Sequence, residues 1–482
     1  MSDATFTPSV NQNLRALTDL LGDSFDLIVR ELDATGIKAC TVSFDGLCDE
    51  MKITEAILKP LTAKNAPKPR PGTLFETIRE RLFKGTDVKT VYTAVDAARA
   101  ALGGALVLLA EGEAAALVFS VQGYPRRAVG EPQSEQNEKG SQEGFCDNFK
   151  DNVSLLRRRL RTPALATELL TMGETTATPV VLCWLRGRAD EAMLAQVRKR
   201  LRSAKLDAVL GAGYLRPFLD GRRPSLFKGT GVTERPDTLA AMLTEGRVGI
   251  IVDGTPYAVV VPYLFIDHFH TVDDYLSGPF YAFFMRALRV ACVVIAATLP
   301  GFFVAVCVFH PEIIPADIMF DIAEAESKTP FPLMAEALII HLIYEVVREA
   351  GLRMPVAIGH AVSIVGALVI GDTAVTAGLI GAPMLIVVAL TAVCSSVGVR
   401  LHETVSLIRF ALILIGGLTG LYGVMLFSGL MLTDLCAVAP FGVPYSAPVS
   451  PFVGPAQRDT VWRAGWKKLG RSILTVKEMK FE

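Results

Sequence analysis

The sequence has no excess of charge of either sign. Across 482 residues, 48 Lys and Arg meet 49 Asp and Glu, for a formal net charge of −1. A nucleic-acid backbone is therefore not an expected partner. The eight Cys, at positions 40, 48, 146, 183, 292, 307, 394 and 436, form no C-x-x-C pair and share no regular spacing. They suit a reducing compartment better than a disulfide framework, and Cys292, Cys307 and Cys394 lie inside apolar runs. The chain has no P-loop, no G-x-S-x-G and no H-E-x-x-H, so an enzyme is not expected, nor a cofactor or a metal site. "GAGY" (211–214) is too fragmentary for a dinucleotide site. The first thirty residues are polar and mixed, without an apolar core, so a cleavable signal peptide is not expected.

What the chain has in quantity is aliphatic sequence. It is 51% hydrophobic with a mean hydropathy of +0.39. The excess is confined to residues 286–439; residues 1–285 carry charges throughout. The expected fold class is an α+β soluble N-terminal region of two subdomains, followed by an α-helical transmembrane domain. The first subdomain covers 1–129. Within it, "DLIVRELDATGI" reads as a helix ended near Gly36, "LFETIRERLFKG" (74–85) as a clearer helix, and the two apolar runs around Glu111-Gly112-Glu113 as a hairpin. A polar stretch without periodicity, 130–144, reads as a linker. The second subdomain covers 145–285. It has a helix up to Pro163, a strand at "TPVVLCWL", a helix with Met193, Val197 and Leu201 on one face, and a hairpin around Asp253-Gly254.

The membrane domain covers 286–439. Arg286 and Arg289 precede "VACVVIAATLPGFFVAVCVF" (290–309), which has no charge and is long enough to span a bilayer. An acidic loop, 310–332, follows. Further apolar segments lie at 356–371, 373–399 and 407–432. A Pro-rich segment and a basic tail fill 440–482. Counting spans gives four, with an amphipathic helix at 333–350 that does not cross and both termini on the side of synthesis. That count has a cost, because it puts Arg400 and Arg409 on the outside. A five-span count repairs Arg400 and exports the basic tail instead.

One stretch of this domain is unlike its surroundings. "ALIIHLIYEVVREAGLRMP" holds His341, Glu345, Arg348, Glu349 and Arg353 in thirteen residues. His341 and Glu345 are one helical turn apart, but two groups are too few for a zinc site. The spacing of His341, Glu345 and Arg348 puts them on one side of a helix. They form either the solvated stripe of an interfacial helix or the lining of an aqueous vestibule. Segment 356–371 has small residues at Gly359, Ser363 and Gly366, with Val362 and Val369 between them. That pattern suits either ordinary close helix packing or a narrow apolar constriction around an axis. "LLRRRLRTP" is the densest basic run. Arg157, Arg158 and Arg159 read either as a contact for anionic lipid or an acidic partner, or as a solvated helix face. His268 and His270 in "DHFH" could pair with Asp267, or be plain surface residues.

The order of "EGFCDNFKDNVSLLRRRLRTP", "TERPD", "EGRVGIIVDGTP", "DDY", "TPFP", "REAGLRMP", "SIVGALVIG" and "FGVPYSAP" resembles the A subunit of GerA-type spore germinant receptors, a family that also includes the SpoVAF protein of spores. The resemblance runs from about residue 20 to the tail. It implies an integral protein of the spore inner membrane, with its N-terminal region facing the core. It implies a B subunit that resembles transporters, a lipoprotein C subunit, contact with membrane lipid, and self-association, as a pentamer, into a nutrient-gated cation channel. Read onto this chain, 356–371 is the expected pore helix, with Val362 at the constriction and Gly359, Ser363, Gly366 and Val369 near it. The family also allows a SpoVAF-type accessory channel or a non-conducting scaffold. The polar insert before residue 144 and the tail "RAGWKKLGRS" depart from the family pattern.

Overall fold

The computed structural model describes residues 5–34, 36–63, 73–79, 88–123, 135, 139–221, 225–354, 371–470 and 475–479. The N-terminal region is α+β and contains two five-stranded antiparallel sheets. The first uses β1 (Leu27–Ala34), β2 (Ile37–Phe44), β3 (Val88–Val91), β4 (Leu106–Ala110) and β5 (Ala116–Phe119), in the order β1-β2-β4-β5-β3. Helices α1 (Val10–Leu21) and α2 (Ala94–Leu102) accompany it. The second uses β6 (Leu165–Met172), β7 (Thr178–Leu185), β8 (Gly231–Thr233), β9 (Val248–Val252) and β10 (Ala258–Val261), in the order β6-β7-β9-β10-β8. Its helices are α3 (Phe149–Arg159), α4 (Glu191–Ser203) and α5 (Pro236–Thr244).

The two sheets have the same topology, and their second halves keep the same spacing. Helix α2 starts at Ala94 and α5 at Pro236; β4 starts at Leu106 and β9 at Val248; β5 starts at Ala116 and β10 at Ala258. Each pair is 142 residues apart. Two glycines repeat at that offset with positive φ: Gly104 and Gly246 at 85° each, and Gly112 and Gly254 at 87° and 79°. Left-handed backbone at a strand entry and a hairpin tip admits Gly at little cost. The N-terminal region is therefore a structural duplication.

Segment 27–34, expected as a helix, is strand β1. It pairs along its whole length with β2, from Leu27↔Phe44 to Ala34↔Ile37. Gly36 (φ 92°) is the turn of that hairpin rather than a helix cap, and its N–H donates to Asp33 Oδ1 at 2.5 Å. Both faces of each sheet are covered. Val107 and Leu109 pack with α1 and α2, while Leu106 and Leu108 pack with Ile53, Ile57 and Phe75 on the other side. Strands buried on both faces read as continuous apolar runs rather than alternating ones.

The C-terminal region is helical: α6 (Pro279–Phe309), α7 (Ala316–Glu326), α8 (Leu333–Arg353), α9 (Ala382–Val397) and α10 (His402–Ala437). By length and composition, α6 and α10 are long and apolar enough to cross a membrane, and α9 is a shorter apolar helix. Helix α10 is not straight. Gly420 has φ 67° and ψ −156°, outside the helical region. Thr404 Oγ1 donates to Leu226 O at 2.9 Å, while Ser225 Oγ donates to Asp434 Oδ2 at 2.6 Å. Thirty residues of straight helix would separate positions 404 and 434 by about 45 Å. The chain instead doubles back at Gly420, and α10 is a helical hairpin. Its arms, 402–419 and 421–437, are each about 26 Å long, near the thickness of a bilayer core. The segment 407–432, expected as one span, thus contains a turn.

The helices run between two ends of one bundle. Helix α6 starts beside the second sheet, where Arg289 Nη1 donates to Phe269 O at 2.8 Å. It finishes at the hairpin turn, where a Cβ on Gly420 would lie 3.0 Å from Phe309. Helix α8 starts at that far end, with Met334 against Gly417, and finishes near His402. Arg400, which the four-span count places outside, lies at the sheet end. It donates to Tyr263 Oη at 3.0 Å and to Glu135 Oε1 at 2.6 Å.

Candidate functional site

Helix α8 carries the polar stripe, and the structure shows what the stripe faces. Leu342 and Val346 point outward at 59% and 62% exposure. His341 points inward and is fully buried, as is Arg409 on the first arm of α10. Water normally draws the polar face of a helix outward. In the middle of α8, however, Leu342 and Val346 are outside while His341 is inside, beside the buried Leu333, Ala337 and Ile340.

Glu345 is the centre of the seam between α8 and α10. Its Oε1 accepts from Ser406 Oγ at 2.7 Å and from Arg409 Nη2 at 3.4 Å; its Oε2 accepts from Arg348 Nε at 2.9 Å and meets His402 Nε2 at 3.3 Å. Arg409 also sits with its guanidinium carbon 5.7 Å from the Tyr344 ring centre. His341 Nδ1 meets Ala337 O at 2.8 Å, inside its own helix. Its Nε2, together with Nε and Nη1 of Arg409, is buried with no hydrogen-bond partner among the described residues. Glu349 and Arg353 pair with each other on the exposed surface, at 2.7 Å. Nothing in the sequence marks His402, Ser406 and Arg409 as site residues. Their 402/406/409 spacing is a one-face helical signal, but it gains meaning only once α10 is placed against α8.

At the far end two carboxylates, Glu326 and Glu336, come together at Gly381. Gly381 N donates to Glu336 Oε1 at 2.6 Å, and a Cβ on Gly381 would lie 2.8 Å from Glu326 Oε1. Among the described residues, no group of three or more His, Cys, Asp or Glu is arranged to hold a metal ion. Gly359, Val362, Ser363, Gly366 and Val369 lie outside the described residues.

The three arginines of the basic run go to different places. Arg157 is buried and bridges the two modules: its Nε and Nη2 reach Asp26 Oδ2 and Oδ1 at 2.5 and 2.7 Å, and its guanidinium lies 4.4 Å from the Phe44 ring centre. Thr167 Oγ1 also donates to Asp26 Oδ1, at 2.7 Å. Arg158 and Arg159 both pair with Glu143, at 3.1 and 2.7 Å.

Where the sheets meet the bundle, the ion pairs are dense. Asp274 receives Arg286 Nε at 3.1 Å and both Nη atoms of Arg289 at 2.8 and 2.9 Å. Arg286 Nη1 reaches on to Asp459 Oδ1 at 2.7 Å, tying the tail to the start of α6. Asp267 pairs with Arg247 through both oxygens and accepts from Leu264 N at 2.7 Å, rather than pairing with the neighbouring histidines. Burial opposes ionisation of Asp267, but Arg247 outweighs it and holds the carboxyl below its usual range. His268 Nε2 meets Tyr445 Oη at 3.0 Å, and His270 Nε2 meets Thr460 O at 3.0 Å. Burial pushes His268 down from an ordinary 6.5 to about 3.

A family described as Bacillus/Clostridium GerA spore germination protein matches residues 15–472. The chain is 34% identical over 465 residues to spore germination protein KA of Bacillus subtilis (strain 168), covering 95% of this chain and 85% of that protein. It is 34% identical over 475 residues to the uncharacterized membrane protein YfkQ of the same organism, covering 97% and 91%. It is 30% identical over 458 residues to spore germination protein B1, also of that organism, covering 94% of each chain. Among solved structures, the N-terminal domain of the A subunit of the Bacillus megaterium spore germinant receptor GerK3 matches 55% of this chain and 99% of its own, at 25% identity and a TM-score of 0.44.

Proposed function

Because the chain belongs to the GerA family of spore germination proteins, we propose that it is the A subunit of a nutrient germinant receptor and forms an oligomeric cation channel in the spore inner membrane. The observation that carries the membrane reading is the middle of α8, where Leu342 and Val346 are exposed while His341 is buried and Glu345 turns inward to Arg409. Lipid solvates the first pair and a buried polar seam accommodates the second. The sheet modules and residues 440–470 lie at one end of the bundle, where Arg286 at the start of α6 pairs with both Asp274 and Asp459. In this reading that end faces the spore core. A transporter-like B subunit and a lipoprotein C subunit are the proposed partners, and a pentamer the proposed assembly.

The test is conductance. Purified protein in planar bilayers is expected to conduct cations, and Val362→Ala is expected to enlarge the current. Absence of current from both, each inserted and oligomeric, would favour a scaffold that couples the germinant-binding subunit to other machinery. A SpoVAF-type accessory channel, which the family also allows, is the second reading. Neighbouring genes separate the two: B and C subunits for the receptor, a SpoVA operon for the accessory channel.

A further inference from the structure

A cavity of about 590 Å³ opens between the second sheet module and the end of the α10 hairpin. On the module side it is lined by Arg200 at the end of α4, Arg216 and Asp220 on a short helix, and Ser225 and Lys228 in the following loop. The hairpin side is Ala437 to Pro440, where the second arm leaves the bundle. Among the described residues, three cations thus face one carboxylate. Burial is the largest influence on Asp220 and raises its carboxyl above the ordinary value. Its Oδ1 is buried with no hydrogen-bond partner among the described residues.

The surroundings are amphipathic. Leu430 and Leu432, on the arm leading to the cavity, are exposed, as are Leu210 and Tyr214 beside the lining residue Gly213. The cavity therefore has a basic floor and an aliphatic approach, at the end of the bundle where the apolar helices meet the sheets. That is the depth at which headgroups lie if the bundle spans a bilayer. The size is that of a small-ligand site. Existing contacts leave the cations in place: Arg200 Nη1 donates to Leu219 O, and its guanidinium lies 4.3 Å from the Phe441 ring centre. Arg216 Nε reaches Thr230 Oγ1 at 3.4 Å, and Lys228 reaches the exposed Glu403 at 3.8 Å. A guanidinium fork beside an ammonium matches a phosphate ester.

We propose that this cavity binds a phosphate ester, the headgroup of an anionic phospholipid, with Arg200, Arg216 and Lys228 on the phosphate and the acyl chains along Leu430 and Leu432. The lipid source rests on the membrane reading above; the phosphate chemistry does not. Bound lipid would hold the hairpin exit against the second sheet module.

The test uses the full chain in nanodiscs of phosphatidylcholine, with and without phosphatidylglycerol. Phosphatidylglycerol is expected to raise Tm by about 2 °C or more. R200Q/R216Q/K228Q is expected to lose that rise, and K228Q alone, at an exposed side chain, to diminish it. The variants' Tm in phosphatidylcholine alone reports whether they fold. K52Q/K59Q/R99Q removes equal charge from the first sheet module and is expected to retain the rise. Millimolar inorganic phosphate in phosphatidylcholine discs or in detergent separates the sources. A rise with phosphate, lost in the triple variant, makes the ligand a soluble phosphate. A rise with lipid only makes it the headgroup. No rise from either, or a rise that the triple variant keeps, overturns the proposal. Failure to enter discs would count against the membrane reading alone, since the detergent arm still tests the cavity.

Discussion

Glu345 is one acceptor shared by Ser406, Arg409, Arg348 and His402. Removing it leaves Arg409 fully buried without its counter-charge, which is costlier than losing a surface pair. Glu345→Ala is expected to destabilise the folded protein by about 3–5 kcal/mol, or to prevent assembly. Tm in detergent checks the first outcome and germination in a complemented spore the second. Unchanged values in both would reduce the seam to incidental contacts. His268 gives a pH test with a definite sign. Its folded value, about 3, is below the unfolded 6.5. The unfolded chain therefore takes up a proton that the folded chain refuses. The stability from keeping His268 neutral is complete above about 6.5 and is lost as pH falls from there toward 3, by at most about 1.4 kcal/mol per pH unit. Asp267 acts in the same direction but titrates lower. Between about pH 6.5 and 4.5, His268→Gln is expected to flatten the fall of Tm with acid; an unaltered slope would exclude His268 as its source.

At the scale of elements, the α10 hairpin depends on one residue. Gly420 has a backbone conformation that L side chains rarely adopt, and a Cβ there would meet Phe309 at 3.0 Å. Gly420→Ala is expected to cost about 1–3 kcal/mol and to lower Tm accordingly. A geometric test is independent of stability. Ser225→Cys with Asp434→Cys, and separately Leu226→Cys with Thr404→Cys, should each cross-link under mild oxidation, read by mass spectrometry of the joined peptides. A straight α10 allows at most one of the two. Composition marks 407–432 as one apolar run. Gly416, Gly417, Gly420 and Gly423 all occur within it, and only the φ of Gly420 tells which of them turns the chain.

For the whole molecule, the two sheet modules are joined by a buried ion pair rather than by chain connectivity alone. Asp26 lies just before β1 and Arg157 near the end of α3, and both are almost inaccessible to water. Asp26→Ala is expected to destabilise by about 3–5 kcal/mol, and to speed proteolysis between the modules. An unchanged cleavage rate would show that the modules hold together without the pair. In the sequence, Arg157 reads as one of three equivalent basic residues. The reason it is different is long-range: Asp26 lies 131 positions away.

Sequence alone determined the division into a mixed N-terminal region and an aliphatic C-terminal one, the glycine-tipped hairpins around Gly112 and Gly254, and the family. These follow from local composition, short-range periodicity and ordered motifs. The 27–34 strand is not legible, because a partly exposed strand at a sheet edge has charges spaced much as on a helix, and its pairing with β2 decides the matter. The direction faced by His341, Glu345 and Arg348 is not legible either. Helical spacing puts them on one side, but only the packing of α10 against α8 says whether that side meets water or Arg409. Local forces write the elements into the chain; which face of each is solvated depends on neighbours far away in sequence, and tertiary structure alone supplies them.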